Sequence, residues 1–356
     1  MKILVILTFS SITLLWQAAY GQAPNTRALV SEFIELIQDH AYMRHTIDLD
    51  SGRTALLEET KNISEISALK PHFKSFLKKL KDHHSSISYI EADEEDEDEL
   101  DFLEKFAHIT YEEAGYPPLH FKSDLLEGRF AYVNIPGVAL EYRKYIETIG
   151  SQLQELDARN PEAWIFDVTE NDGGSIIPML WQMYALIDQD TIHSFLNSRG
   201  QEEKQTRIMW QTNGEKFEER LFELFKLNDV SLHPVKLSHT DIPIILLTSQ
   251  KTASSGEFFV AAFKGQKNVT VIGQQTNGLT SGNTAYPLAK SYLLNLTTDV
   301  LKDRSGKRYA IGEGIAPDRL VVLDADLQKL KKTDAAVKAK YIDAALGFLR
   351  EGSTGK

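Results

Sequence analysis

The sequence predicts an α/β fold: a core domain of alternating strands and helices, preceded by a small helical N-terminal domain. Three observations carry this reading. Before residue 84, apolar residues recur at three- and four-residue spacing. After residue 128, short β-branched or aromatic runs alternate with helical stretches. Between the two lies a run of seven consecutive acids, residues 93–99, too highly charged to pack into a core.

In the first part, Leu29, Phe33, Leu36, Ile37 and His40 share one helical face, and Phe73, Phe76, Leu77 and Leu80 share another. The intervening Asp48-Leu49-Asp50-Ser51-Gly52-Arg53 has turn and N-cap character, and helical composition resumes over residues 54–61. Three helices are expected. In the second part, strands are expected at residues 130–135, 164–168, 242–248, 269–272 and 292–298. Helices are expected at residues 176–187, 255–264 and 335–349. That alternation suggests a largely parallel or mixed sheet. The expected organisation is a helical domain over residues 22–84, an acidic insertion or loop over 85–127, and an α/β core over 128–350.

Residues 1–21 read as an address. Lys2 precedes an apolar run over residues 3–16, and the small residues Ala19 and Gly21 follow. This is the pattern of a cleaved secretory signal peptide, and the run is shorter than the ~20 residues a membrane span needs. The expected product is secreted or periplasmic, with no membrane span after cleavage.

Composition narrows the function classes. At 356 residues, with 42% hydrophobic and 25% charged residues, the chain is globular and long enough for about two domains. Lys and Arg total 39 against 51 Asp and Glu, a net charge of −12, of which the acidic run supplies seven negative charges. A chain so charged lacks the basic face that nucleic acid would require. The absence of cysteine excludes disulfides within the chain, thiolate nucleophiles and cysteine-ligated metals.

Four segments can carry chemistry. Asp82-His83-His84-Ser85 closes a helix in a polar cluster; histidine is the side chain best suited to moving protons near neutral pH, and a helix cap is the plainer reading. The strand at residues 164–168 runs through Asn171-Asp172-Gly173-Gly174 into a helix, which exposes backbone N–H groups fit for an oxyanion, or simply makes a tight turn. A third strand enters Thr252-Ala253-Ser254-Ser255-Gly256-Glu257, where a serine at a strand-to-helix turn reads as a nucleophile or as an N-cap. The fourth is the polar loop of residues 273–283, with Gly312-Glu313-Gly314-Ile315-Ala316-Pro317-Asp318 further on.

Order and spacing of these segments resemble the tail-specific (C-terminal processing) serine peptidase family, in the PDZ-less branch related to the tricorn core and the interphotoreceptor retinoid-binding protein. Asp82 to Ser85 resembles the family's D-x-H-S segment, and residues 167–174 its D-L-R-x-N-x-G-G. Ser254-Ser255-Gly256-Glu257 is similar to its S-A-S-E nucleophile turn, and Gly314 to Asp318 to its G-I-x-P-D. The resemblance implies a ClpP/crotonase-like core and an exported serine peptidase acting on peptides or proteins, with no cofactor. It implies Ser254 as nucleophile, with oxyanion donors among Gly173, Gly174 and Ser255. Leu279 stands where one branch carries a dyad lysine, so His84 is the base the resemblance offers, with Glu313 as a third catalytic residue and Asn283 in support. Val168-Thr169 and Gln274 also depart from the family pattern.

The stretch after Ser85 is too short for the PDZ domain of many relatives, and the acidic run there suggests a rim that favours basic substrates. Two other functions compete: a non-catalytic or degenerate binding protein on the same fold, which the missing lysine favours, and an esterase using the same serine. The sequence sets no oligomeric state.

Overall fold

The computed structural model describes residues 25–89, 107–206, 223, 225–227, 232–288, 291–330 and 334–353. The proposed signal peptide and the acidic run at residues 93–99 lie outside them.

Three helices open the chain: α1 (Thr26–His40), α2 (Leu49–Thr60) and α3 (Lys70–Lys78). Asn25 and Asp48 cap the first two, each side chain accepting a backbone N–H of the first turn. Their apolar faces close on one another, with Phe33 stacked on Phe73 at 4.2 Å. This helical segment is not self-contained. Its core continues into Ile87, Leu288, Tyr292, Leu294 and Leu296, so the helices bury their stripes against a sheet.

That sheet is antiparallel. The long strand β10 (Tyr292–Asp303) pairs with β1 (Ser86–Tyr89), β5 (Thr191–Asn197) and β9 (Ser281–Leu288), and β5 pairs with β6 (Glu202–Thr206). The 85–127 stretch is therefore more than a loop. It contributes β1 to this sheet and β2 (Ser123–Leu126) to the second one. Both are four residues long, too short for alternation to stand out in sequence.

The second sheet runs β11-β8-β7-β4-β3-β2. Strands β3 (Phe130–Asn134), β4 (Ala163–Asp167), β7 (Ile244–Thr248), β8 (Val269–Gly273) and β11 (Arg319–Leu320) are parallel, and β2 is antiparallel at one edge. The expected mixed α/β sheet is present. Its central strands are buried along their whole length, as helices on both faces require.

Alternate residues point to opposite layers. Val133, Trp164, Phe166 and Leu246 face α4 (Tyr142–Asp157), α5 (Ile176–Trp181) and α6 (Ser255–Phe263). Tyr132, Ile165, Ile245 and Leu247 face Val337, Tyr341 and Leu346 of α8 (Ala335–Ser353), which follows the short α7 (Ala325–Lys329). Every residue of α6 is buried, so the helix whose first turn follows Ser254 is fixed by packing all round.

Candidate active site

Three parallel strands end side by side at the site. β4, β7 and β8 deliver the chain into residues 168–175, 249–254 and 274–280, at the carboxyl edge where open α/β sheets place their ligands.

Ser254 occupies the turn between β7 and α6 with φ +51° and ψ −121°, a conformation that residues with a Cβ avoid. Comparable strain occurs at the strand-to-helix serine of known nucleophile elbows. The turn is braced on each side. Ala253 N–H donates to Asn171 O at 3.0 Å, Ser254 N–H donates to Glu257 Oε2 at 3.0 Å, and Phe258 N–H donates to Ser254 O at 3.0 Å. Ser254 is only 2% exposed, and its Oγ has no hydrogen-bond partner among the described residues.

Asn171 shapes the facing loop. Its Nδ2 donates to Ile135 O at 3.0 Å and its Oδ1 accepts Gly173 N–H at 3.0 Å. Gly173 and Gly174 both have strongly positive φ, +117° and +115°. A Cβ on Gly173 would stand 3.0 Å from Ser254 Cβ, and one on Gly174 would stand 2.0 Å from Val138 O. The double glycine is thus a steric requirement of bringing this loop against the serine.

The expected oxyanion donors separate here. Gly173 N–H is given to Asn171 Oδ1 at 3.0 Å. No acceptor for the N–H of Gly174 or of Ser255 is present among the described residues. The Ser255 hydroxyl donates to Gly174 O at 2.6 Å and fastens the two donor segments together.

His84 reaches the site through sheet register. The residues before β1 lie against β10, where Ser85 Oγ accepts Thr297 N–H at 2.9 Å. Asp82 is buried and accepts the N–H groups of His84 and Ser85 at 3.1 and 2.9 Å, so it shapes the loop's backbone rather than orienting the ring. Asn283, fully buried, donates from Nδ2 to His84 O at 3.1 Å and accepts from Thr297 Oγ1 at 3.0 Å. The ring's Nδ1 lies 2.8 Å from Ser281 Oγ. Burial pulls the imidazole down to about 4, against the opposing pull of the Asp82 carboxylate, so His84 is neutral at pH 7.

Glu313 is occupied elsewhere. Its carboxylate lies 2.8 Å from Lys307 Nζ and accepts Ala310 N–H at 3.0 Å, in a turn that closes on itself. The Ala310 N–H, and then Lys307, hold it below the usual carboxylate range. This geometry shows no bond from it to Ser254 or His84 among the described residues.

Sequence reasoning passed over Ser281, Asn171 and Thr276. All three stood within the motif segments, but which hydroxyl or amide meets which loop depends on β9–β10–β1 register, and no local spacing encodes that.

Residues 129–321, just over half of the chain, match the family model of Peptidase family S41. The chain belongs to this family. Two curated relatives agree. A nisin-resistance protein of Lactococcus lactis subsp. lactis is 23% identical over 190 residues, 52% of this chain and 54% of that protein. A carboxy-terminal-processing protease of Bartonella bacilliformis is 36% identical over 98 residues, 27% of this chain and 22% of that protein. The S41 chain thus spans about half the length of the first relative and about a fifth of the second.

Solved structures share the S41 fold. A lipoprotein from Streptococcus agalactiae superposes with a TM-score of 0.65 at 20% identity, covering 88% of this chain and 97% of that one. The photosystem II D1 C-terminal processing protease superposes with a TM-score of 0.52 at 11% identity, covering 85% and 94%. Among the described residues, no helix is long and apolar enough to cross a membrane.

Proposed function

We propose that this S41 chain is an exported serine peptidase in which Ser254 is the nucleophile and His84 the general base. The observation that carries the reading is the strained, buried Ser254 at the start of α6, with the unclaimed N–H groups of Ser255 and Gly174 on the two segments that meet there. A serine hydroxyl is a weak nucleophile without a base, and the dyad lysine position holds Leu279.

The chemistry follows from these groups. We assign Ser281 Oγ as acceptor from Nδ1–H of His84, which leaves the lone pair on Nε2. Nε2 takes the Ser254 proton as Oγ bonds to the peptide carbonyl carbon. The N–H groups of Gly174 and Ser255 hold the resulting oxyanion, a contact whose loss generally costs ~100- to 1,000-fold in turnover. The C–N bond then breaks, and His84 returns the proton to the leaving amine. Water, deprotonated by the same imidazole, hydrolyses the acyl-enzyme. Asn283 and Asp82 hold the backbone that carries the ring, and no cofactor enters these steps.

The reading places the mature chain in a secreted or periplasmic location after cleavage near residue 21, with the helical segment, the 85–127 insertion and the core as its parts. One observation favours a non-catalytic binding protein instead: Ser254 Oγ is hydrogen-bonded to no base in this state. Catalytic hydrogen bonds often close only with substrate present, so the peptidase reading stands ahead. A fluorophosphonate probe decides between them. Labelling of the wild type that disappears in both Ser254→Ala and His84→Ala supports the peptidase; a folded, unlabelled wild type supports the binding protein.

A further inference from the structure

Ser254 and His84 arrive from distant parts of the sequence, and one buried carboxylate lies between the segments that carry them. Glu257 is in the first turn of α6 and is fully buried. Its Oε2 accepts the Ser254 N–H at 3.0 Å, the familiar reach of an N3 glutamate back to the N-cap. Its Oε1 does something capping does not require: it accepts Gly278 N–H at 2.9 Å and the Thr276 hydroxyl, both on the loop after β8.

That loop leads to the base. Thr276 Oγ1 also accepts Ile315 N–H at 2.7 Å, and Thr280 Oγ1 donates to Glu313 O at 2.8 Å, which seats the loop on residues 312–315. Gly278 is packed so closely on that segment that a Cβ would stand 2.4 Å from Gly312 O. The next residue after Thr280 is Ser281, whose hydroxyl meets His84 Nδ1. A chain of direct contacts therefore runs from the Ser254 turn through Glu257 and residues 276–281 to the imidazole. Burying a carboxylate is costly, and here burial pushes Glu257 up to about 7 even though Thr276 and the N–H groups of Gly278 and Ser254 all donate to it. Helix capping alone does not account for accepting that cost.

We propose that Glu257 is a positioning residue that sets the geometry between nucleophile and base: it locks the Ser254 turn to residues 276–281, and Ser281 carries that register to His84. The inference rests on the reading of Ser254 and His84 as nucleophile and base.

The test compares the wild-type mature chain with Glu257→Gln and Thr276→Val. Gln keeps the shape but turns an N–H₂ toward donors, and Val removes the hydroxyl relay. Fluorophosphonate labelling is resolved into binding and inactivation steps, the ¹⁵N resonances of the His84 ring are recorded, and melting curves establish folding. A folded Glu257→Gln is expected to lose ~10- to 100-fold in the inactivation step, the equivalent of one buried charged hydrogen bond, with probe binding unchanged. Its His84 Nδ1 resonance is expected to move, and Thr276→Val to change in the same direction by less. Wild-type inactivation rate and wild-type resonances in folded Glu257→Gln overturn the proposal; if that variant does not fold, Thr276→Val decides by the same readouts. A wild type that does not label sinks the peptidase reading itself. The His84 resonances then decide the coupling alone, a shift upholding it and no shift overturning it.

Discussion

The Ser255 hydroxyl donates to the Gly174 carbonyl across 2.6 Å, and both residues carry N–H groups that no described residue accepts. One hydrogen bond thus fixes the spacing of the two donors proposed to hold the oxyanion. Ser255→Ala breaks this clamp and leaves a buried carbonyl unmatched, which typically costs ~1–3 kcal/mol. Urea denaturation is expected to show that loss, with slower fluorophosphonate labelling at Ser254. Unchanged labelling in Ser255→Ala would show that the clamp does not set the donors.

Gly174 and Gly306 offer a matched pair of substitutions. Both have positive φ, but a Cβ on Gly174 would stand 2.0 Å from Val138 O, whereas one on Gly306 meets nothing within 4 Å. Gly306→Ala is expected to cost only the left-handed backbone penalty, ~1–2 kcal/mol. Gly174→Ala must displace backbone and is expected to lose far more, or to yield no soluble protein. Comparable melting temperatures for the two variants contradict the close approach of the glycine loop.

Stability should depend on pH with opposite signs at half-buried His84 and fully buried Glu257. His84 falls from 6.5 to about 4 on folding, so between those values the unfolded chain binds more protons and stability rises with pH. Glu257 rises from 4.5 to about 7, so the folded chain binds more protons there and stability falls as pH rises through that window. Relative to Glu257→Gln, the wild type is expected to lose on the order of 3 kcal/mol between pH 4.5 and 8. Equal pH slopes in the two proteins would place the Glu257 ionisation outside this window.

Activity should follow His84. A base that stays neutral down to about 4 predicts that the limb of the labelling profile due to the ring lies near that value, below the fall that protonation of Glu257 near 7 causes. Ser281→Ala removes the Nδ1 partner, and the labelling rate is expected to fall ~10-fold, the equivalent of ~1.4 kcal/mol. An acid limb near 7 that persists in Glu257→Gln would point to a base other than His84.

Much of this organisation was legible because it is written in local pattern. The alternation of β3, β4, β7 and β8 with buried helices, and the amphipathic α1 and α3, follow from periodicity alone. Ser254, Gly173 and Gly174 stood out because strand-to-helix turns need small or strained residues, and the structure places them together. What sequence did not reveal depends on long-range register. The antiparallel sheet was missed because β1, β6 and β9 are short or polar, and with it the meeting of His84 with Ser281 and Asn283. The bonding of Gly173 and Glu313 was hidden for a related reason. Whether an N–H or a carboxylate is free depends on partners such as Asn171 and Lys307, and local spacing does not specify them.

The central claim is peptide hydrolysis at Ser254, and the most direct measurement is mass-spectrometric product analysis of a diverse peptide library incubated with the mature protein and with Ser254→Ala. The account predicts new peptide termini with the wild type and none with the variant, both folded. A folded wild type that leaves the library intact, or a Ser254→Ala variant that cuts it equally well, contradicts the account.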